Sequence, residues 1–143
     1  MREIKFRVFH KKIQSCLPVW IIDFQFQMLQ IWTEDTWISF NNVELMQYTG
    51  LKDKNGEEIY EGDIIAVKMH SGKYENYKIV WINDWREVDK DNPNEIYCAE
   101  FVAINDKKGT HFNWIDSSLW HDCEIIGNIY ENPELMKVAE YKQ

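Results

Sequence analysis

Residues 48–66 read YTGLKDKNGEEIYEGDIIA, and the way this stretch folds decides the architecture of the chain. Gly50, Asn55-Gly56 and Gly62 punctuate it. Asn55-Gly56 is a two-residue hairpin signal, because both residue types tolerate the positive φ of a type I′ turn. Residues 57–60 then lead to Gly62, a second backbone break, after which Asp63 opens DIIAVKM. There Ile64, Ala66 and Lys68 alternate with Ile65, Val67 and Met69, the period of two that marks a strand. Glycines and acids crowded together also suit an active loop. Hairpin, sharp entry and strand account for the spacing better, with Asp63 accepting backbone N–H bonds at the turn.

Working outward, HSGK at residues 70–73 reads as a turn, and YKIVWI after it alternates again, which predicts a second hairpin. An acidic stretch with a proline, residues 83–95, reads as a long loop. IYCAEFVAI, THFNWI and CEIIGNIY return to strand character, with Gly127 at a bulge. Asn132 as N-cap, Pro133 at the first helical position and Glu134 behind it predict a short helix. Towards the N-terminus IKFRVF alternates, and WIIDFQFQMLQIW places Trp20, Ile22, Phe24, Phe26 and Met28 on one face of one strand. TWISF and VELMQY read as further strands. The expectation is a mainly β single domain. An N-terminal β extension (1–47) precedes a small SH3-like barrel (48–131), and the helix (132–143) ends the chain. The barrel rests on fold-level analogy to a Gly-Asp strand followed by a meander.

The totals agree with a β core. Of the 143 residues, seven are Trp, seven Tyr and seven Phe, and rings bury large areas and favour strands. The net charge of −8 is concentrated beyond Val80, where thirteen acids face six bases. An acidic half repels a phosphate backbone, so direct nucleic-acid binding is disfavoured and a basic partner fits better. Cys16, Cys98 and Cys123 are odd in number and widely spaced, which predicts reduced thiols and a cytoplasmic location. Neither a signal peptide nor an apolar run near the roughly 20 residues of a membrane span is present.

None of the phosphate-cradling, dinucleotide, nucleophile-elbow or zinc-protease patterns occurs in the sequence. Asp89, Asp91 and Glu100 match positions of a calcium loop, but Pro93 and Asn94 stand where an oxygen ligand and a glycine belong. His121 and Cys123, with His111 upstream, fall short of the paired spacings of a zinc site. The expectation is therefore no catalytic residue, no metal and no cofactor. Trp32, Trp37, Trp81, Trp85 and Trp114 sit near strand ends or loops and form a candidate partner surface.

MREIKFR, ELMQYTGLKDKNGEEIYEGDII and EIIGNIYENPEL together resemble the YopX family of phage and prophage proteins. The phrases reach both ends of the chain, while residues 11–43 and 70–122 carry none. The resemblance implies a protein from phages and prophages of Gram-positive bacteria, and it brings no catalytic residue with it. Gly50, Asn55, Gly56, Tyr60, Gly62, Asp63, Gly127, Asn128 and Tyr130 stand in the family phrases and are expected to be structural. The expected function is a non-enzymatic accessory protein acting through protein–protein contact or homo-oligomerisation. The alternative is a nucleic-acid-associated protein, either a single-strand binder using its aromatics or an acidic DNA mimic. An enzyme of unfamiliar type is the third possibility.

Overall fold

A computed structural model describes residues 3–82, 100–105, 110–113 and 122–137. In chain order its strands are β1 (Phe6–His10), β2 (Ser15–Asp23), β3 (Met28–Ile31), β4 (Ile38–Ser39), β5 (Val43–Lys52), β6 (Glu58–Tyr60), β7 (Asp63–Lys68), β8 (Tyr74–Ile82), β9 (Glu100–Asn105), β10 (Thr110–Asn113) and β11 (Glu124–Asn128). They form two antiparallel sheets, ordered β4-β3-β2-β1-β5-β6 and β10-β9-β8-β7-β11. The mainly β expectation holds. Among the described residues no closed barrel forms, because the second sheet ends on β10 and β11 and β5 belongs to the first. The three-residue β6 pairs with β5 at the edge of the first sheet.

The β5–β6 hairpin instead lays its own apolar residues against the second sheet. Ile65 and Val67 of β7, Tyr77 and Ile79 of β8, and Phe101 and Ala103 of β9 share one buried cluster. Ile59 of β6 and Cys123 complete it, with Leu51 of β5 packed alongside. Full burial of an aliphatic side chain contributes about 1.5–3 kcal/mol, so Ile59 is a firm tie between the sheets. Ile82 and Val102, with Val80 and Ile104, form a smaller cluster on the alternate residues of β8 and β9. In the first sheet, Val8, Leu29, Ile31, Ile38 and Val43 form a separate core against which Phe40 packs.

Three local expectations are corrected. WIIDFQFQMLQIW is a hairpin, not one strand: Asp23 pairs with Met28, and the Asp23 carboxylate accepts the Phe26 N–H at 3.0 Å. The loop ends on Gln27 at φ 53°. A register shift between Val19 and Ile21 also leaves Trp20 as a bulged residue, so Trp20 no longer shares the buried face. The Asn55-Gly56 hairpin exists but is not a type I′ turn, since Gly56 has φ 80° and Asn55 has no positive φ. It is a longer loop, closed by Asp53 N–H on the Glu57 carbonyl (2.8 Å) and Gly56 N–H on the Asp53 carbonyl (3.0 Å). Residues 69–73 repeat the same two bonds.

The third correction concerns the C-terminal helix. Its described part is one 3-10 turn, Pro133–Met136. Asn132 makes no capping bond; its side-chain oxygen turns back to the Asn128 N–H at 3.4 Å. Gly127 permits this, because a Cβ there would lie 2.5 Å from that oxygen. The bulge expected near Gly127 falls at Ile126, between the pairs Ile125 with Ile65 and Gly127 with Ile64.

Candidate functional site

Of the family-phrase residues, Tyr60, Gly62, Asp63, Asn128 and Tyr130 converge where the two sheets meet, while Asn55 and Gly56 turn the β5–β6 loop. Arg7, on β1 of the first sheet, forms an ion pair with Asp63, the first residue of β7 in the second. The second Asp63 oxygen accepts the Tyr60 N–H at 2.8 Å, and Asp63 is 1% exposed. The Arg7 guanidinium also lies over the Tyr60 ring, 4.7 Å from its centroid. Gly62, at φ 84°, donates to the Ile79 carbonyl (2.8 Å) and accepts from Ile129 N–H (2.8 Å). A Cβ on it would press on Met46 Sδ and on the Tyr130 ring, both at 3.3 Å. Tyr130 in turn stacks on Phe9 of β1. Asn128 closes the far side, its Oδ1 accepting the N–H groups of Tyr130 (3.1 Å) and Glu131 (2.9 Å).

Electrostatics follow from this packing. Burial pushes the Asp63 carboxyl upward from its ordinary value, and Arg7 and the Tyr60 N–H only partly pull it back. Burial, aided by the Glu58 carboxylate, raises the Tyr60 hydroxyl to about 12. Glu58 itself is lowered, by its hydrogen bonds from Lys5 and Tyr60. Burial raises the Cys16 and Cys123 thiols to about 11, so at neutral pH both remain protonated and weakly nucleophilic. Among the described residues no three His, Cys, Asp or Glu side chains gather as a metal site. The calcium-loop pattern, Cys98, His121, Trp85 and Trp114 lie outside the described residues, as does the side chain of His111.

A second region is open to solvent. Trp20 and Trp32 meet edge to face at 4.3 Å between centroids, yet they are 60% and 65% exposed. They border a cavity of about 500 Å³ with Gln30, Thr33, Glu34 and Asp35. Trp20 also borders a neighbouring cavity of about 460 Å³, where Ile4, Phe6, Pro18 and Ile22 contribute apolar surface. A third, about 250 Å³, lies between Asp23, Phe26, Met28 and Trp37. Phe24, Phe26 and Trp37 are exposed as well. Of the candidate tryptophans, Trp32 therefore borders the first of these cavities and Trp37 the third. Trp81 lies apart on β8, edge to face with Phe101.

Three residues of weight escaped the sequence reading. Arg7 gave no local sign that it pairs with Asp63, 56 positions away. Trp20 was hidden by its regular alternation. Asp53 did leave a signal, as an acid three positions before a glycine. It is buried, and its carboxylate accepts from the N–H groups of Asn55 (2.9 Å), Glu57 (3.0 Å) and Ile125 (3.1 Å).

These features define an antiparallel two-sheet protein joined through one shared hairpin and an ion pair buried on its acid side. The chain belongs to the YopX family: the family model described as YopX protein matches residues 5–137. The crystal structure of protein EF1440 from Enterococcus faecalis is similar, with a TM-score of 0.57 and 24% identity over 96% of this chain and 100% of that one. That likeness speaks for the fold. No curated protein matches the chain. Among the described residues no helix is long and apolar enough to cross a membrane.

Proposed function

We propose that this YopX protein is a non-enzymatic protein-binding module that docks a partner on the exposed aromatic side of β2, β3 and β4. The observation that carries the reading is the Trp20 and Trp32 pair, held edge to face while most of both indoles stays open to solvent. Exposed large apolar groups are costly on a solitary surface, and tryptophans supply much of the energy at protein interfaces. Glu34 and Asp35 beside the pair make it a poor seat for a phosphate backbone. In this reading the family-phrase residues Gly50, Asn55, Gly56, Tyr60, Gly62, Asp63, Gly127, Asn128 and Tyr130 build the frame, Tyr60 also bordering the cavity beside Trp20. An accessory role in a phage or prophage suits such a module.

The test compares the full chain with the Trp20→Ala/Trp32→Ala variant in host-cell capture and in sedimentation equilibrium. A specific partner, or a self-associated state, should be lost in the variant while its melting temperature holds. Complexes that survive the double substitution would count against the reading. Retention of a single-stranded oligonucleotide that depends on both tryptophans would replace it with base stacking.

A further inference from the structure

We infer that the cavity beside Trp20 and Trp32 receives a cationic side chain, Arg or Lys, from a basic segment of the partner. This deepens the docking reading above and rests on it. The cavity brings two indole rings together with Glu34 and Asp35, and among the described residues no Lys or Arg lines it. A cation over an indole face is attracted by the ring quadrupole, and a carboxylate beside the same site adds a counter-charge. Several other carboxylates are held by bases: Glu58 by Lys5, Asp63 by Arg7, Glu44 by Lys11 and Glu124 by Lys54. Glu34 and Asp35 take part in none of these ion pairs. Their backbones are fixed, since Glu34 N–H donates to the Ile31 carbonyl (3.3 Å) and the Asp35 carbonyl accepts from the Gln30 side chain (3.4 Å).

The preference for a cation is local to this cavity: the net charge of −8 lies mostly beyond Val80, so Glu34 and Asp35 themselves supply the attraction. The neighbouring cavity that Trp20 also borders, lined by Ile4, Phe6, Pro18, Val19 and Ile22 together with the paired Lys5 and Glu58, then offers apolar surface for an uncharged neighbour of the cation. An extended segment alternating basic and apolar residues would fill both with Trp20 between them.

The experiment titrates the ¹⁵N-labelled full chain with the peptide acetyl-Arg-Leu-Arg-Leu-Arg-amide and with its citrulline counterpart, which keeps the shape and loses the charge. The arginine peptide should shift the indole N–H resonances of Trp20 and Trp32 saturably. The citrulline peptide should bind about fivefold more weakly or worse. Glu34→Gln/Asp35→Asn should weaken the arginine peptide by a similar factor at unchanged melting temperature. Absence of a saturable shift with the arginine peptide at millimolar concentration overturns the inference. Equal binding of both peptides, lost in Trp20→Ala/Trp32→Ala, overturns the cation pocket and leaves the docking surface standing. Binding that persists in that double variant overturns both.

Discussion

At the scale of single residues, Arg7 and Asp63 set the most consequential balance in the molecule. Burial raises the Asp63 carboxyl above its ordinary value, and Arg7 is the largest influence holding it back. An acid whose folded pKa is raised contributes stability that is fully present below its unfolded value and lost as the pH rises through the folded one. Arg7→Met removes the opposing cation, so the Asp63 carboxyl should move higher still. At neutral pH that variant leaves the buried Asp63 carboxyl without its partner, at a cost of about 3 kcal/mol. Acidification should then recover part of the loss. Asp63→Asn added to Arg7→Met should also recover part of it, because the buried charge is gone. Urea unfolding across the acidic to neutral range measures both effects, and a pH slope equal to that of the unaltered chain would sink the account. Glu58 works in the other direction: its carboxyl is lowered, so its contribution is present above its unfolded pKa and fades as the pH falls.

At the scale of elements, two glycines with nearly the same backbone angle answer to different surroundings. Gly56 has φ 80° and open space where a Cβ would stand, whereas a Cβ on Gly62, at φ 84°, meets Met46 and Tyr130. Gly56→Ala should therefore cost only the left-handed conformation, about 1–2 kcal/mol. Gly62→Ala adds the overlap, about 1–3 kcal/mol more. Chemical denaturation of the two variants tests the difference, and equal losses would mean that Met46 and Tyr130 simply step aside. Period two was a sound guide where both ends of a strand carry breakers, as in β7 and β8. It failed at WIIDFQFQMLQIW, because the residues of the loop at 24–27 keep the alternation while their backbone turns. Gln27 holds the left-handed position there, a place where glycine or asparagine would have announced the turn. The aromatic surface was legible in part for the same reason: Trp32 ends its strand visibly, while Trp20 needed the bulge to turn it outwards.

At the scale of the whole molecule, local alternation says which segments are strands and is silent on which strands pair. The two-sheet arrangement rests on long-range contacts, and one of them closes the assembly at the tip of the β5–β6 hairpin. Lys54 N–H donates to the Cys123 carbonyl at 3.0 Å, and the Asp53 carboxylate takes the Ile125 N–H of β11. Lys54 also pairs with Glu124 at 2.9 Å. The hairpin of the first sheet thereby grips the terminal strand of the second. That grip depends most on Asp53, since one buried carboxylate serves both the hairpin loop and β11. Asp53→Ala deprives three N–H groups of their acceptor at once, and each lost bond to a charged group costs about 1.5–3 kcal/mol. The loss should not be uniform. Amide hydrogen exchange at Ile125 and its neighbours in β11 should accelerate beyond the global change, whereas β1 and β2, remote from Asp53, should change only with overall stability. Equal acceleration in both sheets would instead mean that the sheets open as one unit whether or not Asp53 holds them, the Arg7–Asp63 pair and the buried cluster around Ile59 sufficing to join them.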